Sequence, residues 1–125
     1  MSGTRAVVVD PSLPERLVIR DVGYPTALSS VALVSINAVS LNRGEVHTAS
    51  NAEEGWRPGW DVAGIVEKGS SDGSGPRAGS RVVGMLPSGS WAEVVSVRTN
   101  RLAEHMVLQK NFTLSGNSYL VGMDA

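Results

Sequence analysis

Short apolar runs, most of them rich in valine, alternate along the chain with clusters of Gly, Pro, Ser and Asp. Runs of this kind bounded by turn-forming residues predict strands over 5–9, 16–22, 31–38, 62–68, 81–86 and 91–97. In VALVSINA (31–38), Ala32, Val34, Ile36 and Ala38 fall on one side of an extended backbone and mark the face that should meet a core. Gly64, Gly84 and Gly89 read as backbone positions for bulges and turns. The stretch GSSDGSGPRAGS (69–80) has no core residue and predicts a mobile surface loop between two strands. Short strands in series, with no internal repeat, predict an all-β sandwich or barrel.

One segment departs from the two-residue period. In Leu41-Asn42-Arg43-Gly44-Glu45-Val46, Asn42 stands at a helix N-cap and Glu45 three residues later completes a capping box. Leu41 and Val46 occupy the two positions of a hydrophobic staple. A short helix is expected from 43 to about 49, weakened by Gly44 at its second position. Beyond Glu104 the runs 107–114 and 118–123 flank Ser115-Gly116-Asn117, which predicts a hairpin. His105-Met106 is the dipeptide that a common restriction site at a start codon encodes, so a junction there competes with an ordinary surface dipeptide. The expected division is a domain over 1–104 and a β-hairpin-like tail over 105–125.

Composition narrows the chemistry. A chain of 125 residues, 42% hydrophobic and 18% charged, has the make-up of one ordinary globular domain. Eleven basic and twelve acidic residues leave a net charge of −1. The basic residues are scattered from Arg5 to Lys110, which argues against nucleic-acid or membrane partners. With no cysteine, disulfides, thiolate metal ligands and a cysteine nucleophile are excluded. The opening apolar run is too short for a signal peptide and no run approaches a membrane span, so a cytoplasmic protein is expected.

Three stretches, AVSLNRGEV (38–46), RPGWDVAGIVEKG (57–69) and RVVGMLPSGSWAEVVSV (81–97), in this order and spacing resemble the GroES-like catalytic domain of the medium-chain dehydrogenase/reductase superfamily. RAVVVD and VALVSINAVSLN suit the first strands of the same domain, and the resemblance covers roughly residues 4 to 104. It implies a mainly β fold, a GroES-like partly open barrel with one or two short helices. In the zinc-dependent branch a cysteine and a histidine hold the metal; by motif those positions are Asn42 and Trp60, and the glutamate after the histidine is Asp61. An indole cannot replace an imidazole donor and a neutral amide is a poor zinc ligand, so no metal is expected. His47 and His105 have no ligand-like partner at helical spacing. The resemblance therefore implies the zinc-independent branch of quinone oxidoreductases and enoyl reductases, which transfer hydride from NADPH to a quinone or an enone.

Each residue singled out this way has a structural reading as well. Asn42 and Asp61 are the candidate catalytic residues. Asn42 serves equally as an N-cap that spends its amide oxygen and leaves its NH₂ free, and Asp61 serves as a buried carboxylate paired with backbone N–H groups or an arginine. Arg43 is the candidate contact for a cofactor phosphate, or a solvated first-turn residue. Trp60, Trp91 and Trp56 are candidate substrate-binding walls or a lid, or core fillers. Glu45 fits a capping partner better than a general acid. Gly73 to Gly79 spells G-x-G-x-x-x-G, one residue off the dinucleotide fingerprint and outside a strand–helix context, and is rejected as a cofactor site. With no other fingerprint or alternating strand–helix pattern, the NADPH-binding domain is expected to lie outside these residues and the isolated chain to lack appreciable turnover. A stand-alone binding or dimerisation module is the alternative, and the tail strands are expected to favour a homodimer.

Overall fold

The structure, a computed structural model, describes residues 3–104 and the backbone of Leu120 and Val121. The expected tail hairpin and the His105-Met106 junction lie outside the described residues, apart from that two-residue strand.

Strands form where the valine-rich runs predict them: β1 (Thr4–Val9), β2 (Leu17–Val22), β3 (Val31–Ser40), β4 (Asp61–Lys68), β5 (Arg81–Met85) and β6 (Val94–Arg98). A single 3₁₀ turn at Thr99–Arg101 leads into β7 (Leu102–Glu104), and Leu120–Val121 forms β8. The described residues are mainly β, with one α-helix among them, α1 (Arg43–Asn51), in agreement with the expected fold class. All pairings are antiparallel. β1 and β2 make a small sheet; β6-β3-β4-β5-β7 make the large one, and β8 pairs with the end of β3. Among the described residues the sheets do not close into a barrel.

The core lies on one face of the large sheet, where Ala32, Val34, Val62, Val66, Val82, Val95 and Val97 pack with Ile36, Leu86, Ala92 and Leu102. Ala32, Val34, Ile36 and Ala38 do turn inward, as their alternation predicted. Leu33, between Ala32 and Val34 on the central strand, is also buried, at 1% exposure. The register of β3 against β4 shifts between Ile36 and Ala38, beside Gly64. There β4 runs so close that a Cβ on Gly64 would overlap the Ser35 carbonyl oxygen.

Every strand departs from its expected bounds at one end or both, and two of these shifts have local reasons. β2 starts at Leu17, because Arg16 turns the chain with φ of 63°. β6 starts at Val94, because Trp91 is held outside the ladder: its N–H donates to the Pro58 carbonyl (3.2 Å) and its carbonyl accepts from Val7 N–H (2.9 Å). These bonds, with Glu93 N–H to the Arg5 carbonyl at 2.9 Å, stitch the small sheet to the large one.

The serine-rich stretch 69–80 is a surface connection, as predicted, but it is tied down at its middle. The Asp72 carboxylate accepts bonds from the hydroxyls of Ser29, Ser30, Ser70 and Ser74 and from Ser74 N–H. These donors, those of Ser74 and Ser30 above all, hold the Asp72 carboxyl far below the usual carboxylate range. A loop whose donors already face a carboxylate is no cradle for phosphate.

Candidate functional site

β3 ends at Ser40 and the chain turns through Leu41 and Asn42 into α1; β4, alongside, starts at Asp61. Ala38 pairs with Ala63, so two residues on along β3 and two back along β4 Ser40 and Asp61 meet. The Ser40 hydroxyl donates a short bond to Asp61 Oδ2. Asn42 completes the cluster: its Nδ2 lies 3.1 Å from Ser40 Oγ, 3.3 Å from Glu45 Oε1 and 3.3 Å from Asp61 Oδ2. The expectation that Asn42 leaves its NH₂ unengaged is corrected here, because that group faces three acceptors at once.

Glu45 fixes the frame. Its side chain is fully buried, and its two oxygens accept from different backbone donors, Asn42 N–H at 2.9 Å and Trp60 N–H at 3.0 Å. One carboxylate therefore closes the helix cap and pins the start of β4. Burial pushes the Glu45 carboxyl up from its ordinary value, against the pull of these backbone bonds. At the other end of α1, Arg16 donates to the carbonyls of Ala49 (3.3 Å) and Ala52 (2.8 Å). The helix is held at both termini although it has only nine residues. The predicted staple buries little: Leu41 and Val46 stay 50% and 59% exposed, because α1 turns Glu45 and Ala49 inward.

The tryptophans divide. Trp60 is half-buried and its ring lies over the first turn of α1, where a Cβ on Gly44 would come within 2.9 Å of Trp60 Cη2. Trp91, also half-buried, donates from Nε1 to the Ser40 carbonyl at 3.4 Å. Gly59, at φ of 103°, lets the two segments abut: a Cβ there would overlap Ser90 Oγ and stand 2.7 Å from Trp91 N. Trp56 belongs elsewhere, since its carbonyl accepts from Val9 N–H at the end of β1 and no hydrogen bond joins it to the Asn42–Asp61 cluster among the described residues. Arg43 is exposed on the first turn of α1, beside the cluster. Met85, directly across from Asp61, is 53% exposed, and Leu41, next to Asn42 in the chain, is exposed as well.

Gly44→Ala tests the seat of Trp60. The new methyl meets the far end of a side chain that can swing, and alanine is the better helix former, so stability should change by less than about 1 kcal/mol. The indole must move, so the variant should show a shifted tryptophan emission with an unchanged far-ultraviolet circular dichroism spectrum.

The alcohol dehydrogenase GroES-like domain family matches residues 29–107, a span that contains the cluster and every strand from β3 to β7. The chain belongs to this family. No curated protein matches the sequence. Among solved structures, the GroES-like domain is similar to the human synaptic vesicle membrane protein VAT-1 homolog-like protein (TM-score 0.78, 21% identity, 86% of this chain and 36% of that one). It is similar also to a probable oxidoreductase from Mycobacterium abscessus (TM-score 0.73, 28% identity, 82% and 34%). A third is the Escherichia coli quinone oxidoreductase complexed with NADPH (TM-score 0.68, 20% identity, 83% and 33%). A cobalt- and zinc-bound alcohol dehydrogenase shares the fold as well, so fold alone does not choose between metal-using and metal-free relatives. This chain spans about a third of the length of these three structures.

The donor set of this GroES-like domain does not fit zinc. The cluster offers an amide already facing three acceptors, an indole that can only donate, and a carboxylate bonded to Ser40 and Asn42. Among the described residues no group of three or more His, Asp or Glu could hold a metal ion, and His47 lies exposed on α1. Also among the described residues, no helix is long and apolar enough to cross a membrane.

Sequence reasoning missed Ser40. It is 2% exposed, and its hydroxyl joins Asn42 to Asp61. The available signal was a hydroxyl residue closing an apolar strand two places before a cap, which becomes meaningful only once the β3–β4 register is known.

Proposed function

We propose that the chain is the substrate-side domain of a zinc-independent, NADPH-dependent oxidoreductase that reduces a quinone or an enone. The observation that carries this reading is the convergence of Asn42 and Asp61 with Ser40, beside Trp60 and Trp91 and next to the exposed Leu41 and Met85. A flat conjugated carbonyl compound needs such a combination: apolar walls for its ring and a fixed polar group for its oxygen. When bound, the dihydronicotinamide supplies hydride to the electrophilic carbon. The Asn42 amide exchanges one of its three acceptors for the substrate oxygen and donates to it as negative charge develops there. Ser40 and Asp61 hold that amide in plane, and Glu45 holds its backbone. Arg43, exposed on the first turn of α1, is the candidate contact for a cofactor phosphate. The remainder of the nucleotide site belongs to a second domain.

A naphthoquinone titration followed by tryptophan emission tests the reading on the chain as it stands. Saturable quenching is expected, lost in Trp60→Phe and weakened roughly tenfold in Asn42→Ala, the loss of one well-placed hydrogen bond. The isolated chain should not oxidise NADPH with the quinone at an enzyme's rate. Quenching that never saturates, or that ignores Asn42, defeats the proposal.

A second reading, a GroES-like binding or dimerisation module without chemistry, draws on the pairing of Leu120–Val121 with Val39 and Ser40. Strand addition at that edge, beside the cluster, is a route to a homodimer. A dimer in light scattering together with no quinone binding favours this second reading.

A further inference from the structure

A hollow lies apart from the Asn42–Asp61 cluster, none of whose residues line it. It measures about 240 Å³ between the residues after β2, the segment 86–89 and β6, and Arg57 lines it. Its size falls below the ~300–1,000 Å³ of pockets for drug-sized ligands, so it suits something small.

Its chemistry is one-sided. Arg57 is half-buried, and its Nε–H is shielded from solvent with no acceptor. Among the described residues the guanidinium makes no ion pair or hydrogen bond. A buried guanidinium N–H is among the costliest donors to leave unmatched, so its acceptor is a missing part of the site. Among the described residues no Asp or Glu lines the hollow. Leu86, Val94 and Val95 form apolar walls, which strengthen any charge attraction inside, and Ser88 and Ser96 supply hydroxyls. Gly89 lies against the arginine: the place its Cβ would take is 3.9 Å from Arg57 Nε.

We infer that this hollow binds a small carboxylate, held by the Arg57 fork and the serine hydroxyls. The planar fork of an arginine matches the two oxygens of a carboxylate. A single cation with no second basic residue among the lining groups balances one negative charge, which favours a carboxylate over a doubly charged phosphate. The inference stands apart from the reductase reading, because no residue of the Asn42–Asp61 cluster lines the hollow.

The test is a nitrogen–proton correlation titration of the whole chain, following the Arg57 Nε–Hε signal in the parent and the Gly89 and Ser96 backbone N–H signals in parent and variants alike, with sodium acetate and benzoate, and with sodium chloride and inorganic phosphate for comparison. A saturable shift with either carboxylate is expected, with Kd raised about tenfold or more in Arg57→Met. Arg57→Lys, which keeps the charge but not the fork, should bind more weakly than the parent chain. Tighter saturation by phosphate, a response to carboxylate no different from that to chloride, or unchanged binding in Arg57→Met would each overturn the inference. Should Arg57→Met fail to fold, the parent titration and Arg57→Lys decide the matter alone.

Discussion

Replacing Glu45 with alanine is expected to cost about 2–4 kcal/mol, because the backbone N–H groups of Asn42 and Trp60 both lose the buried carboxylate that accepts from them. Urea unfolding should show it as a fall in midpoint without a change in slope. Glu45→Gln should cost less but not nothing, since an amide presents NH₂ where one carboxylate oxygen accepts. The pH dependence separates Glu45 from the other carboxylates. Burial raises its folded pKa above the ordinary 4.5, so the folded state binds the extra proton. Its contribution is therefore greatest below 4.5 and declines as pH rises through the raised value. Asp10, Asp72 and Glu93 act in the opposite sense. Their carboxyls are held below the ordinary range, so what they contribute is present at neutral pH and lost as pH falls. The parent chain should be most stable between these two regions, and the difference between parent and Glu45→Gln should change with pH only on the alkaline side of 4.5. A difference that is flat with pH there would show that Glu45 titrates normally.

Gly64→Ala should damage the fold itself. The added methyl would overlap the Ser35 carbonyl oxygen and stand 2.9 Å from the carbon behind it and 3.1 Å from Ile36 Cα. All three are backbone atoms in the central strand, so neither strand can yield by changing a rotamer. A cost of about 3 kcal/mol follows from overpacking of this kind. In a domain of this size that lowers Tm by roughly 10–20 °C. Because Gly64 lies three residues along β4 from Asp61, any surviving folded fraction should also show disturbed ligand binding at the cluster. A thermal scan that superimposes on the parent would mean that β3 and β4 are further apart than described.

The valine-rich runs were legible because each is short, bounded by turn formers and long enough to show its faces. β7 was not, because Leu102-Ala103-Glu104 offers one large apolar residue between charges and gains its place only by pairing with Val82, Val83 and Gly84. The capping box at Asn42 and Glu45 could be read locally, since it depends on residues three apart. The second bond of Glu45, to Trp60 N–H, could not, because it crosses fifteen residues and depends on where β4 begins. The same distinction governs the candidate site. Motif order brought Asn42, Trp60 and Asp61 forward, whereas Ser40 and Met85 enter through strand register, which no single run of sequence displays. Trp56 was named for its ring, and the fold uses its backbone carbonyl at the end of β1.

Arg16 reaches from the turn before β2 to two carbonyls at the far end of α1, more than thirty residues along the chain. That tether links the small hairpin to the helix that presents Asn42. A spectroscopic label on the hairpin tip should thus act as a remote gauge of ligand arrival, without touching any residue of the Asn42–Asp61 cluster.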